Sequence, residues 1–575
     1  MDKFLQQKYL LPIVIFIFFI VNSIQGNYTE LLPDEAYYWV YSQYMNWGFF
    51  DHPPLVAVWV KISDFLFNNE MGVRFFSSVS FSLLVYLLWN TTDHPKKNRF
   101  TWLFLLLIFS TALLNVYGFI TTPDTPLLLF FSLFLFAYKN YLTKKNTVSY
   151  LLLTLSITGM MYSKYQGVLI VFFMVLSNWK LVKDYKLWLV CLGVIILYIP
   201  HLNWQYMNDF PSIRYHLYER ASVASYRIEY SLMHFVNAIA IIGFTFIIIY
   251  KAFFRGIKST NLYHKGLNYI ISGFFIFFLL SSFRGHVQAQ WIAPIMLPLI
   301  LITFEYLLDN QKLIKLFNYL AFVNIIIIII ARIIIANEGI IPVKLEFHGN
   351  KEWTLKAEKL TQNTDKVFIN SFQNTAIFWF YTKVKPHYQK NFLGRKNQFK
   401  FIPGNKTFLS DSVSYFTRTS RDYSEIKMSS GKDSIFISFI KDYTSLFEIK
   451  IDLINSDEVI IKNNSKNFIK AILENPYDFD IDFKDIFIEI VFQNKKGNEI
   501  YSIPAKIDLS SIKASTKENI SLEFYPSVIN SLDEYPHLGI GIKTANNMDL
   551  VKVSSLHRYI TVSYTHLTLP TILLV

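Results

Sequence analysis

The sequence predicts a polytopic α-helical membrane protein of about eleven spans, followed by a C-terminal water-soluble region of α/β plus β-sandwich type. Three observations carry this. Of 575 residues, 52% are hydrophobic and 18% aromatic, a content that soluble chains seldom reach. Apolar runs of 15 or more residues recur through the first 340 positions, long enough to enter a bilayer. From about Gly339 onward the composition turns polar and strand-like.

Lys3 and Lys8 precede an apolar run from Tyr9 to Ile24 with no small-residue cleavage site, so the first span reads as an uncleaved anchor. Further spans are expected near 72–90, 100–120, 125–142, 148–163, 165–178, 187–200, 231–250, 267–283, 291–308 and 315–336. The loops between them alternate in charge. Those with Lys96, Lys97 and Arg99, with Lys139, Lys144 and Lys145, with Lys180, Lys183 and Lys186, with Lys251, Arg255, Lys258 and Lys265, and with Lys312 and Lys315 fall on one side. Together with the N-terminus they hold 17 Lys and Arg, against seven on the other side (Lys61, Arg74, Lys164, Arg214, Arg220, Arg227 and Arg284). The 17-bearing side is therefore expected to be cytoplasmic, and the first loop and everything after Ala336 to lie outside. The net charge of +13 follows the same loop pattern and gives a nucleic-acid partner little support. The single Cys191, inside an apolar run, excludes an intramolecular disulfide and a cysteine metal cluster.

The first outer loop, Leu31–Trp59, is the stretch around which the chain is organised. Asp34 and Glu35 follow Pro33 and fall in the first turn of a helix, where backbone N–H groups and the dipole favour anions. Asp51 and His52 precede Pro53-Pro54, which opens a second helix with Asp51 near its cap. Tyr37, Tyr38, Trp39, Tyr41, Tyr44, Trp47, Phe49 and Phe50 suit a membrane–water boundary, where an amphipathic ring keeps one end wet. Read singly, any of these acids could be no more than a helix cap. Further polar groups lie on the same side: Asp124, between Pro123 and Thr125-Pro126, opens a span, Ser163-Lys164-Tyr165 interrupts an apolar stretch, His201-Leu-Asn203-Trp204 opens the long loop to Arg227, and Arg284-Gly285-His286 sits just before a span. Asp124 alone could be an N-cap, and Lys164 alone could snorkel.

The pattern PDEAYYW…WGFFDHPP resembles the first external loop of the family 39 polyprenyl-phosphate-sugar glycosyltransferases of GT-C fold. That group includes bacterial protein mannosyltransferase relatives and the lipid A aminoarabinose transferase. The Pro-Asp124, Ser-Lys164-Tyr and Arg284-Gly-His286 stretches are similar to the family's other outer loops. The resemblance covers about residues 1–340, the 341–430 region weakly, and carries no motif beyond.

It implies an inverting transferase that moves a sugar from a polyprenyl-phosphate donor to an acceptor hydroxyl on a glycan, lipid or protein. The protein would sit in a bacterial plasma (inner) membrane with its site outside. No nucleotide cofactor is implied, because no pool of nucleotide sugars exists there. Asp34 would be the general base and Glu35 its support. Lys164, Arg284, His286 and His52 would hold the donor phosphate. Asp51 and Asp124, with His52 beside them, are the candidates for a divalent metal, zinc or manganese. The rival reading is a transporter or flippase of lipid-linked sugars. It would also want charges within the membrane, but the sequence shows no internal repeat.

In the soluble part, Lys351–Gln362 reads as a helix, Lys366–Asn370 as a strand and Thr375–Tyr381 as a helix, forming a small α/β unit over 341–430. From 431 to 561, period-2 alternation, as in Phe447–Leu453, Ile486–Phe492 and Ile520–Phe524, predicts an antiparallel β-sandwich acting as scaffold or lid. Residues 562–575 resemble translated adapter sequence and are excluded from fold reasoning.

Overall fold

The computed structural model describes residues 2–219, 226–403, 408–421, 424–430, 433–446, 448–454, 459–462, 464–495, 497–526, 535–544 and 547–562. The expected adapter-like tail lies outside these residues except for Val562. Two compact units are present: residues 1–354 with 430–432, and the remainder from 355.

The first unit is helical. Among the described residues six helices are long and apolar enough to cross a membrane: Tyr9–Tyr28, Met71–Thr91, Asp124–Lys144, Tyr185–Met207, Leu262–Ser282 and Gln311–Ala336. The other five expected spans are shorter or interrupted helices. Segments 148–163, 165–178 and 291–308 form Thr147–Ser163, Gly167–Ser177 and Met296–Asp309, each below the roughly 20 residues a full crossing needs. Segment 100–120 breaks into Thr101–Ser110 and Ala112–Val116, and 231–250 into Ile228–Ala240 and Phe246–Gly256.

Both breaks have one physical remedy. The Asn324 side chain, buried in the last long helix, donates to the freed carbonyls of Ser110 and Ile242 at 3.0 Å each and accepts from the Phe244 N–H at 2.8 Å. Backbone groups without a helical partner are thereby satisfied away from water, as an apolar surround demands. Gly243, at φ +80°, makes the turn, and a Cβ there would meet the Asn324 amide.

The unit has two polar ends. At one, Lys96 Nζ donates to the Leu308 carbonyl (3.1 Å), Lys97 Nζ to Trp89 and Thr92 (2.8 Å each) and Lys139 Nζ to Thr91 (2.8 Å). His264 pairs with Glu305 at 2.7 Å in the same region. Lysines thus cap the last carbonyls of helices there. The other end holds the first loop.

The second unit starts with a five-stranded sheet, formed by β1 (Asp365–Ile369), β2 (His387–Gln389), β3 (Phe408–Thr417), β4 (Ile426–Ser430) and β5 (Asp433–Ser445) in the order β2-β1-β3-β5-β4. β1 runs parallel to β2 and β3, with the helix Phe372–Thr382 crossing between β1 and β2. Phe368 stacks on Phe416 at 4.2 Å in its core. The predicted strand and helices are all present, but the boundary is not at 431. β5 pairs antiparallel with β3 over Phe408–Thr417, so the α/β unit extends to about Ser445.

The remaining strands are β6 (Lys450–Leu453), β7 (Val459–Lys462), β8 (Asn467–Glu474), β9 (Ile481–Asp482), β10 (Ile486–Gln493), β11 (Ile500–Ile507), β12 (Ser511–Ile512), β13 (Lys517–Phe524), β14 (His537–Thr544), β15 (Asn547–Lys552) and β16 (His557–Val562). Nine of them form a single sheet, in the order β6-β8-β13-β11-β10-β14-β16-β7 with β15 on β14, instead of two separate ones. The sheet bends back on itself. Ile451 of β6 donates to the Val553 carbonyl (2.9 Å), and Val553 donates to Ile540 of β14 (3.1 Å). The alternating residues meet inside as one core, including Ile451, Ala471, Leu522 and Ile540.

Candidate active site

The first loop begins with the helix Pro33–Gln43. Pro33 occupies its first position, where a missing N–H costs nothing. Asp34 is exposed, and Glu35, one residue on, is fully buried. The Glu35 carboxylate folds back to accept from the Leu32 N–H at 3.0 Å, half of a capping box. Its main partner is Arg74, near the start of the helix Met71–Thr91. Arg74 Nε donates to Oε1 at 2.8 Å and Nη2 to Oε2. The rest of the guanidinium ties down the chain before the loop, donating to the carbonyls of Gly26 (3.0 Å), Thr29 (2.5 Å) and Glu30 (2.9 Å). All five guanidinium N–H groups are used. The Thr121 N–H adds a bond to Glu35 Oε1 at 2.9 Å, which joins the second outer loop to the first. These bonds tie the start of the helix carrying Asp34 to Arg74 and to the second outer loop.

Asp51 is also buried. It accepts from the phenols of Tyr37 (3.0 Å) and Tyr41 (3.2 Å), one helical turn apart on the same face. Burial, with Tyr37 and Asp51 beside it, pushes the Tyr41 phenol well above its ordinary value, so it stays a donor. The turn before Asp51 is clamped from three sides. His201 Nδ1 donates to the Trp47 carbonyl (2.7 Å), Ser212 Oγ to Phe49 (3.0 Å) and His216 Nε2 to Asp51 (3.1 Å). Gln205 connects the clamp, donating to Tyr165 Oη (2.9 Å) and Ser212 Oγ (2.8 Å). With His201 Nδ1 acting as the donor, its Nε2 is left to accept from the Tyr165 phenol at 3.3 Å. Burial raises that phenol's pKa, and nearby Asp51 raises it further. Gly48 is required here because a Cβ would sit 2.3 Å from the Trp204 ring.

Asp124 starts the helix Asp124–Lys144, and Lys164 caps the helix Thr147–Ser163. They pair with each other: Lys164 Nζ lies 2.8 and 2.9 Å from the two Asp124 oxygens, and both side chains are at least nine-tenths buried. This changes the expected division of roles. Both Asp124 oxygens hold the ammonium, so Asp124 does not offer itself as a metal ligand. Lys164 has used two of its three donors and keeps one N–H.

His52 lies with its ring 5.9 Å from Tyr38. Arg284 and His286 follow the helix Leu262–Ser282 and are exposed, with His286 against the Tyr230 ring at 6.1 Å. Among the described residues neither bonds to the first-loop cluster. No three His, Cys, Asp or Glu side chains converge among the described residues either. The donor set does not fit a resident divalent ion, and no step below uses one.

The sequence reading missed several members of this site. Arg74 counted only as an outer-loop charge, although an arginine inside an apolar run signals a buried partner. Tyr37 and Tyr41 read as boundary aromatics. Their spacing of four, facing an acid, was the available clue. Gln205, Ser212 and His216 carry no local signal.

Residues 51–204 match the model of the dolichyl-phosphate-mannose-protein mannosyltransferase family. That range holds Asp51, Asp124, Lys164 and His201, and begins after Asp34. No curated protein sequence matches the chain. Among solved structures, ArnT from Cupriavidus metallidurans in the apo state is similar with a TM-score of 0.55 at 11% identity, over 74% of this chain and 97% of that one. The same protein bound to undecaprenyl phosphate is similar with a TM-score of 0.53 at 13% identity and the same coverage. The chain has the GT-C membrane fold with a C-terminal β domain. The matched segment and the fold bear out the resemblance to the polyprenyl-phosphate-sugar glycosyltransferases.

Proposed function

We propose that the protein transfers a sugar from a polyprenyl-phosphate donor to an acceptor hydroxyl, with inversion, on the outer face of a bacterial inner membrane. One observation carries this: in the first loop Glu35 and Asp51 are buried, in bonds to Arg74 and to two phenols, and Asp34 is its exposed acid. The acceptor oxygen attacks the anomeric carbon, its proton passes to the Asp34 carboxylate, and the bond from that carbon to the phosphate oxygen breaks with its electrons leaving on phosphate. The leaving phosphate needs little acid help, so a cation suffices. Lys164, held in place by Asp124, keeps one N–H for it, and exposed Arg284 and His286 would add to it on donor binding.

The charge split of 17 to seven supports the outward orientation, since the acid-bearing end is the one poor in Lys and Arg. The acceptor class is a cell-surface glycan, lipid A or protein. Purified full-length protein, given synthetic polyprenyl-phosphate sugars and a panel of such acceptors, should form glycosylated product and free polyprenyl phosphate in equal amounts. Failure of every donor in this class to bind or react would overturn the proposal.

A further inference from the structure

The buried cations of the active-site end each face a carboxylate: Arg74 has Glu35 and Lys164 has Asp124. Arg332 does not. It lies in the long helix Gln311–Ala336, four residues and about 6 Å from its end, where an ionised side chain is costly unless compensated. Nη2 donates to Asn22 Oδ1 (2.7 Å) and the Asn115 carbonyl (3.1 Å), and the guanidinium sits 4.7 Å from the Phe119 ring. These neutral contacts orient the charge without balancing it. Nη1 is buried and has no hydrogen-bond partner among the described residues. Arg332 also lines a cavity of about 320 Å³, whose other walls include Leu113, Phe119, Ile241, Ile327, Ile328 and Ile335. The result is an apolar groove with an uncompensated guanidinium in its wall.

We infer that this groove is a binding site for one anionic glycerophospholipid, with its phosphate on Arg332 and part of one acyl chain along the isoleucines. The charge requires an anion, and the lining requires hydrocarbon. At roughly the 30 Å³ a water occupies, the groove holds about ten methylene-sized groups. That suits a stretch of a single acyl chain. No residue of the groove belongs to the site built around Asp34, and the inference rests only on the membrane placement of the last long helix. A lipid here would tie together the N-terminal helix, through Asn22, the broken 101–116 segment, through Asn115, and the last span.

Native mass spectrometry of the full-length protein tests this, with dipalmitoyl phosphatidylglycerol, the matching diacylglycerol and undecaprenyl phosphate as separate probes. Wild type should retain one phosphatidylglycerol. Arg332→Gln should lower its occupancy at least tenfold, and so should Ile328→Trp, which keeps the charge and fills the groove. Equal occupancy in wild type and both variants would overturn the proposal. So would equal retention of diacylglycerol, or displacement of phosphatidylglycerol by equimolar undecaprenyl phosphate.

Discussion

The two polar ends of the helical unit are built by opposite means. At the acidic end the charges are buried and matched, with Glu35 on Arg74, Asp124 on Lys164 and Asp51 on two phenols. At the lysine-rich end, single cations reach to helix-terminal carbonyls, and the ion pairs are partly or largely exposed, as in His94 with Asp309. Exposed contacts of that kind contribute little and need little precision. Buried pairs are costly to assemble and costly to break, and they hold groups in one geometry. Under the proposed function, the difference marks the acidic end as the one suited to chemistry. The acidic end gives up freedom to fix its donors and acceptors, whereas the lysine-rich end, on the proposed orientation, would need only net positive charge.

The contrast breaks most severely at Arg74. Arg74→Met strands the Glu35 carboxylate in a dry site and frees the carbonyls of Gly26, Thr29 and Glu30. A loss of roughly 3–5 kcal/mol is expected, read as a large fall in melting temperature, with activity lost alongside. A melting temperature within a degree of wild type would show the pair to be dispensable. Lys164→Met should cost less, about 1–3 kcal/mol, because Asp124 keeps slight access to water. It should also weaken binding of a polyprenyl-phosphate donor measured on the inactive protein, and unchanged donor affinity would remove Lys164 from the phosphate site.

The smallest effect belongs to the other end. Burial, followed by the neighbouring Lys139, lowers the Lys97 ammonium to about 8. Its folded pKa is therefore below its unfolded value of about 10.4, so the folded state binds fewer protons between these limits. This contribution to stability is present above the unfolded pKa and is lost as pH falls to 8. At neutral pH Lys97→Gln should leave the melting temperature unchanged or raise it slightly, and a drop of several degrees would contradict the comparison.

Much of this architecture is legible in the sequence, because apolar runs, loop charge and Pro-flanked acids are local signals. The expected helix start at Pro33 and the soluble elements at 350–360, 365–369 and 372–382 all appear close to their predicted bounds. What was hidden depends on contacts between distant segments. Arg74 is 39 residues from Glu35, and Lys164 is 40 from Asp124, so neither pairing shows in a window of sequence. The break at Ser110–Ala112 is stabilised by Asn324, more than 200 residues away. β5 alternates like a sandwich strand, yet pairs with β3, because periodicity specifies a strand but not its neighbour.

The central claim is that Asp34, carried on a helix fixed by Glu35 and Arg74, is the base. Asp34→Asn keeps the side chain's shape and removes its ability to take a proton. In sugar transfer from a purified polyprenyl-phosphate donor by full-length protein, turnover should fall roughly 10²–10⁴-fold, while melting temperature and donor affinity stay at wild-type values. Near-normal turnover in Asp34→Asn would contradict the account and move the base elsewhere in the loop, with Asp51 the next residue to test.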